Sequence, residues 1–221
     1  RQVTNLEAVE LVPGTWSHDE RQLVIDASVN GNSDIYVVNV EDGRATPVTT
    51  EPSLDTHASW SHDGQWIYFS SSRSGTVQVW KTSPKGGPAI QVTKGGGIEP
   101  KETLDGRTLF YLNIDRPPTS TIRQVSPSGG DEVVVLNRGV GLGKWAVTRD
   151  GIVFVTMGRE YDALDFYAFS DRQERRLGRL PDKVSRIGGL GHLRVSQDGR
   201  WALIGVTELW ESDIMVAEGA W

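Results

Sequence analysis

Residues Trp60–Ser71 read Trp-Ser-His-Asp-Gly-Gln-Trp-Ile-Tyr-Phe-Ser-Ser. A Ser followed two positions later by Asp-Gly predicts a tight turn, because Ser and Asp side chains bond to nearby backbone and Gly tolerates a positive φ. The run Trp66–Phe69 is aromatic and β-branched, which favours a buried strand. This stretch therefore predicts a turn leading into the central strand of a sheet.

The same turn and strand recur along the whole chain. The counterparts of Asp63 are Asp19, Asp105, Asp150 and Asp198, at separations of 42 to 48 residues. Such a period is typical of a four-stranded β-propeller blade. We predict an all-β fold, a five-bladed β-propeller of four-stranded antiparallel blades forming one domain over residues 1–221. Its repeats are expected at about residues 7–49, 50–93, 94–136, 137–180 and 181–217, plus a strand at 1–6.

The fifth repeat ends before a fourth strand, and its missing copy lies at the N-terminus. Gln2-Val3-Thr4 repeats Gln91-Val92-Thr93, so we predict that residues 1–6 complete the last blade and remove an exposed sheet edge. A six-bladed parent cut at a blade boundary is the alternative. The chain starts inside this strand with neither an initiator Met nor a signal-peptide pattern, so we expect a fragment or processed form.

Composition excludes two classes of partner. A net charge of −6 and a pI near 5.3 argue against nucleic acid, which needs a basic stripe. No apolar run approaches the roughly 20 residues that span a bilayer, so we expect no membrane insertion by this chain. Cysteine is absent, which excludes disulfides and thiolate metal sites.

The quoted turn and strand resemble the TolB-like family of WD-repeat-like propellers, whose repeat centres on Trp-Ser-Pro-Asp-Gly; His62 stands at the Pro position. The stretch from Val195 through Val216 looks like the last repeat of bacterial propellers that follow winged-helix regulators and serine/threonine kinases. The resemblance implies a propeller fold and an extracytoplasmic or periplasmic, sensory role in a bacterium, with a cytoplasmic location as the alternative.

A candidate binding site follows from the expected topology. Loops on one face of a propeller are irregular, and binding residues concentrate on such loops. The positions six residues before each turn Asp form a ring at the channel mouth, and four of the five are polar. We predict ligand contacts there from His57, Glu99, Lys144, His192, Asp55 and Arg186. The alternative is that these residues only solvate a water-filled channel and pair with one another.

Further contacts are expected from the loops of the same face, through Arg116, Tyr161 and Trp210. On the opposite face, His18 and His62 occupy tight turns, where we expect an exposed structural role. A metal site built from His57, His192 and Glu99 would need ligands from non-adjacent blades, so we predict no metal and no cofactor.

No catalytic motif is recognisable. The segment Gly139–Trp145 lacks the spacing of a phosphate loop, and no Gly-x-Ser-x-Gly nucleophile elbow is present. We therefore predict a non-catalytic binding module that presents its loop face to a protein or a small ligand. The alternatives are a propeller associated with a hydrolase domain and a channel-centred glycosidase that uses Asp55 and Glu99.

Overall fold

The computed structural model describes residues 4, 6–8, 10–116, 119–158, 162–180, 190–196, 199–208 and 211–218. These residues form five antiparallel sheets, four of four strands and one of three, and neighbouring strands in every sheet are consecutive in the chain. The fold is all-β, and its four-stranded antiparallel sheets are consistent with propeller blades. Among the described residues no helix is long and apolar enough to cross a membrane.

The strands divide among the sheets in chain order. Sheet 1 contains β1 (Glu10–Trp16), β2 (Gln22–Val29), β3 (Asn32–Asn39) and β4 (Ala45–Pro47). Sheet 2 contains β5 (Asp55–Trp60), β6 (Ile67–Ser71), β7 (Gln78–Thr82) and β8 (Ile90–Gln91). Sheet 3 contains β9 (Ile98–Glu102), β10 (Leu109–Arg116), β11 (Thr119–Val125) and β12 (Val133–Leu136).

The last two sheets follow the same pattern. Sheet 4 contains β13 (Val140–Val147), β14 (Gly151–Thr156), β15 (Ala163–Ala168) and β16 (Glu174–Arg179). Sheet 5 contains β17 (Leu190–Val195), β18 (Trp201–Glu208) and β19 (Glu211–Glu218). Residues 1–3 and 5 of the predicted closing strand lie outside the described residues.

The chain divides into two compact units. The first comprises Arg1–Ile114 and Arg123–Val135, which hold sheets 1 and 2 and most of sheet 3. The second comprises Asp115–Ile122 and Leu136–Trp221, which hold the tip of the β10–β11 hairpin and sheets 4 and 5.

In sheets 1 to 3 the turn before the second strand is held by a hydroxyl and a carboxylate, whereas in sheet 4 Thr148 Oγ1 bonds Gly151 instead. In sheet 2, Ser61 Oγ donates to Asp63 Oδ1 at 2.7 Å and accepts from Trp66 N at 2.9 Å, while Gln65 N donates to the same Asp63 oxygen at 2.9 Å. Ser17–Asp19 in sheet 1 and Thr103–Asp105 in sheet 3 make the same bonds. A local side-chain network thus explains why the Asp recurs.

The second strands form the core of the first unit. All five residues of β6 are buried. Phe69 packs in a cluster with Val24 and Ile35 of sheet 1, whereas the adjacent Tyr68 packs with Leu109 and Tyr111 of sheet 3. Because successive strand residues point to opposite faces, one strand supplies apolar side chains to both neighbouring sheets.

Two of the fourth strands end two residues earlier than the sequence indicates. The sequence predicts strands at Pro47–Thr49 and Gln91–Thr93, whereas β4 ends at Pro47 and β8 ends at Gln91. Thr49 Oγ1 accepts from Ile35 N at 2.9 Å and donates to Asp34, and Thr93 Oγ1 accepts from Val79 N at 2.8 Å and donates to Gln78. Val48 N and Val92 N still donate to the Ile35 and Val79 carbonyls, so threonine hydroxyls join backbone groups in continuing the contact beyond these strands.

Gly14 in β1 provides a test of the packing between sheets 1 and 2. A Cβ at this position would lie 2.5 Å from Ala58 O and 2.7 Å from Val24 O. We expect Gly14→Ala to lower the free energy of unfolding by about 1–3 kcal/mol in urea titrations, because backbone has to move to admit the methyl group.

Gly178→Ala is the matched control, since a Cβ at Gly178 meets nothing within 4 Å. It should leave stability unchanged or raise it by about 0.4–1 kcal/mol through the unfolded state. Equal destabilisation by the two substitutions would contradict close packing at Gly14.

Candidate functional site

The first strand of every sheet is irregular near the predicted ring. In β5 the pairing register shifts between Thr56 and Ser59, and in β9 it shifts between the partners of Phe110 and Leu112. The other first strands shift at Pro13/Trp16, Val140/Trp145 and Leu190/Leu193. Each first strand thus contains a bulge at an equivalent position, and bulges re-aim side chains.

Two predicted site residues have left-handed backbone conformations at these bulges. His57 has φ 55° and Glu99 has φ 54°. Such a conformation costs a non-glycine residue on the order of 1–3 kcal/mol and persists only when the surroundings impose it. In sheet 4 the positive φ of 69° falls instead on Gly143, next to Lys144, where no such cost arises.

The surroundings that impose this conformation come from the preceding sheet. Ser70 Oγ in β6 accepts a hydrogen bond from Glu99 N at 3.2 Å. One sheet earlier, the carboxylate of Asp26 in β2 faces the backbone N–H groups of His57 and Ala58. Asp26 and Ser70 each lie seven residues after their turn Asp, so the same contact is repeated with different acceptors.

Asp26 is a buried carboxylate that is incompletely satisfied. Its residue is only 5% exposed, and its Oδ1 atom has no hydrogen-bond partner among the described residues. Burial raises the pKa of Asp26 above its usual value, and the nearby His57 opposes this by lowering that pKa. A buried acceptor without a partner costs about 1–3 kcal/mol, so Asp26 stands out within a well-bonded sheet.

Asp55 lies at the start of β5 and is completely buried. Its Oδ2 pairs with Arg73 Nη2 at 2.7 Å, and its Oδ1 accepts from Ser71 Oγ at 2.6 Å and Ser53 Oγ at 2.9 Å. The Arg73 guanidinium also lies about 5 Å from the Phe69 and Trp80 rings, at 5.1 and 5.2 Å. Both oxygens of Asp55 are therefore engaged inside sheet 2.

The remaining predicted residues are distributed as follows. His57, Glu99 and Asp55 belong to the first unit, with Glu99 only 5% exposed, whereas Lys144 in β13 and His192 in β17 belong to the second. Within the second unit a Cβ at Gly143 would lie 2.8 Å from Nδ1 of His192, so this imidazole packs on the Gly143 backbone. The ring formed by all four residues stays a prediction.

Arg116 is the last residue of β10. Arg186, Tyr161 and Trp210 lie outside the described residues, and their predicted contacts stay predictions.

Sequence reasoning missed Asp26. A signal was present, because Leu23-Val24-Ile25-Asp26-Ala27 places an acid within a buried apolar run, where ionised side chains are rare unless they are paired. The partner backbone at His57 could not be identified from spacing, since it belongs to the next sheet.

Comparisons with known proteins bear on the fold. None of the curated protein sequences matches the chain. Among solved structures, TolB from Acinetobacter baumannii aligns with a TM-score of 0.75 at 16% identity, over 95% of this chain and 52% of that one. A putative TolB from Agrobacterium tumefaciens aligns with a TM-score of 0.56 at 21% identity, over 61% of this chain and 53% of that one.

Enzymes with this fold are also similar to the chain. Puromycin hydrolase aligns with a TM-score of 0.61 at 16% identity, over 93% of this chain and 34% of that one. The chain thus spans about half the length of the two TolB structures and about a third of the hydrolase. At these identities the likeness concerns the fold alone.

The family model of the TolB beta propeller domain matches residues 1–177. This match covers most of the chain and includes sheets 1 to 3 and all of sheet 4 except the last two residues of β16. The chain belongs to the TolB beta propeller domain family.

Proposed function

We propose that this chain is a non-catalytic binding module that presents the bulged ends of its first strands, with the adjoining loops, to a protein or a small ligand. The observation that carries the proposal is the buried Oδ1 of Asp26, which no described residue bonds, next to the strained His57. An acceptor left open at a cost to stability, beside backbone strain, is typical of a binding site.

The chemistry of this acceptor indicates what it binds. Asp26 directs its carboxylate to the backbone N–H groups of His57 and Ala58, and its buried Oδ1 can accept one more hydrogen bond from a donor that reaches it when neighbouring side chains move. A ligand amide, ammonium or guanidinium group would supply that donor, and hydrogen bonds to charged groups contribute about 1.5–3 kcal/mol. We propose a donor-bearing ligand, such as an exposed peptide segment of a partner protein.

Family membership supports the wider setting. We propose a bacterial, extracytoplasmic and sensory role, in line with the resemblance to TolB and to regulator-linked propellers. The cytoplasmic alternative is distinguished by fractionating cells that express the parent protein.

A second candidate is a propeller that accompanies a hydrolase. This candidate is favoured by the alignment of 93% of this chain with only 34% of puromycin hydrolase. In a protein of that kind, the catalytic domain would be separate from the propeller. In either case this chain would bind or admit a ligand and would not perform the chemistry.

We also propose that the fold is a closed ring of five blades. Sheet 5 has three strands among the described residues, and Gln2-Val3-Thr4 repeats Gln91-Val92-Thr93. Thr93 and Thr49 bond the third strands of their sheets, and Thr4 is their counterpart.

Ring closure can be tested by removing the N-terminal segment. Deleting residues 1–6 should leave β19 as an exposed edge strand and promote association through that edge. We expect dimers or larger species by light scattering, together with a lower melting temperature. A truncated protein that stays monomeric with unchanged melting would contradict closure, and removal of Gly219–Trp221 from the other end is the control.

The second prediction separates stability from binding at Asp26. Its folded-state pKa is raised from 3.8, so the folded protein holds this proton more tightly than the unfolded chain does. The free energy of unfolding therefore falls as pH rises from the unfolded pKa through the folded one. Asp26→Asn removes this loss, and we expect it to be more stable than wild type near pH 7.

In the Asp26→Asn variant, the new side-chain amide must turn its oxygen to the backbone N–H groups, so its NH₂ group takes the place of Oδ1 and repels a donor. Amines, guanidines and short peptides should raise the melting temperature of the wild type and not of Asp26→Asn, while simple carboxylates raise neither. Asp19→Asn is the control, because its effect on stability near pH 7 should have the opposite sign: the hydrogen bond from Ser17 lowers the pKa of Asp19, whereas the pKa of Asp26 is raised. Equal increases in the melting temperature of wild type and Asp26→Asn with every donor would contradict a binding site at Asp26.

The third prediction distinguishes binding from catalysis. The purified chain should not hydrolyse chromogenic glycosides or peptides, because both Asp55 oxygens are engaged by Arg73 and serines. Turnover that is lost in Asp55→Asn and in Glu99→Gln, but kept in Asp26→Asn, would establish the glycosidase alternative.

A further inference from the structure

The turns that precede β2 and β6 bring two histidines together. The rings of His18 and His62 have centroids 5.3 Å apart and an interplanar angle of 74°. Both side chains are exposed, and both turns belong to the first unit. Nothing in the proposed function uses this pair.

Rigid backbone presents both imidazoles. In the first turn, Ser17 N donates to Gln22 O at 2.8 Å, and in the second, Ser61 N donates to Trp66 O at 2.9 Å. Beside the turns, β1 and β5 are joined by a hydrogen bond that Trp60 N donates to Thr15 Oγ1 at 2.8 Å. His62 N is fixed further by Glu102 Oε2 of sheet 3 at 2.6 Å. The separation of the two rings is therefore set by the packing of the sheets.

This separation matches chelation of one metal ion. With metal–nitrogen bonds of about 2.0 Å in a tetrahedral site, two imidazoles have ring centroids about 5 Å apart. Imidazole is a preferred ligand of the borderline ions Zn²⁺, Ni²⁺ and Cu²⁺.

The local charge favours a cation. Asp19 and Asp63 directly follow the two histidines, and each carboxylate is held within its own turn, Asp19 Oδ1 by Ser17 Oγ at 2.7 Å and Asp63 Oδ1 by Gln65 N at 2.9 Å. Glu102 adds a third acidic group, although its oxygens are engaged by His62 N and by the Tyr68 hydroxyl.

We propose that His18 and His62 form an exposed two-histidine site for a borderline divalent transition-metal ion. Among the described residues no group of three His, Asp or Glu could hold a metal, so water or a ligand from a partner surface fills the remaining positions. The resemblance places Pro where His62 stands, and the site is thus a feature of this chain.

The test uses the purified, untagged chain, which contains four histidines. Calorimetric titration with Zn²⁺ should show one ion per chain. At the Zn²⁺ concentration that half-saturates the wild type, His18→Gln and His62→Gln should each lose binding, and the double variant should lose no more. His192→Gln is the matched control and should bind like the wild type, while Mg²⁺ should not compete.

A second measurement does not depend on the variants folding. In NMR spectra of the wild type, Zn²⁺ should shift the imidazole protons of two histidines and leave the other two in place. Zn²⁺ binding that survives in the double variant, or that is lost in His192→Gln, would overturn the proposal. So would a wild type that binds no better than His18→Gln, which would leave the pair as an edge-to-face contact only.

Discussion

The packing of apolar second strands between neighbouring sheets is the constraint on which the first unit depends. A four-stranded sheet has two faces and cannot bury both alone, so repeated sheets are stable only when they stack. β6 shows this directly, because Phe69 contributes to the cluster with sheet 1 and Tyr68 to the cluster with sheet 3. Substituting one strand therefore affects two interfaces.

Close packing of sheets brings polar groups into the interfaces, and most of them are bonded across the junction. The Tyr68 hydroxyl donates to Glu102 Oε1 at 2.7 Å, and Ser59 Oγ donates to Pro100 O at 2.7 Å. Burial and the Glu102 carboxylate both raise the pKa of Tyr68, so the phenol stays protonated and keeps donating. Asp26 Oδ1 departs from this pattern, as do the indole Nε1 atoms of Trp60 and Trp80, since none of them has a hydrogen-bond partner among the described residues.

The sequence predicts features that repeat within one sheet. The turn hydroxyl, the Asp and the strand that follows are local in sequence, so their spacing was sufficient to locate the sheets. The ends of β4 and β8 are predicted two residues too late, because nothing in Thr49 or Thr93 reveals that its hydroxyl takes part in the pairing. Local patterns therefore give the repeat and not its hydrogen-bond details.

Features that arise between sheets could not be obtained in this way. Asp26 is visible as an acid in an apolar run, but its position next to His57 depends on how two sheets pack. The same holds for the contact between His18 and His62, which are 44 residues apart in sequence and for which the sequence predicts only an exposed structural role in tight turns. Since each blade can alter its junction residues without losing the repeat, function in such a fold is expected to reside at these junctions. The positive φ of His57 and Glu99, held by acceptors from the preceding sheet, places part of the backbone strain at the same junctions, whereas Glu20, Asn30 and Arg172 have a positive φ between strands.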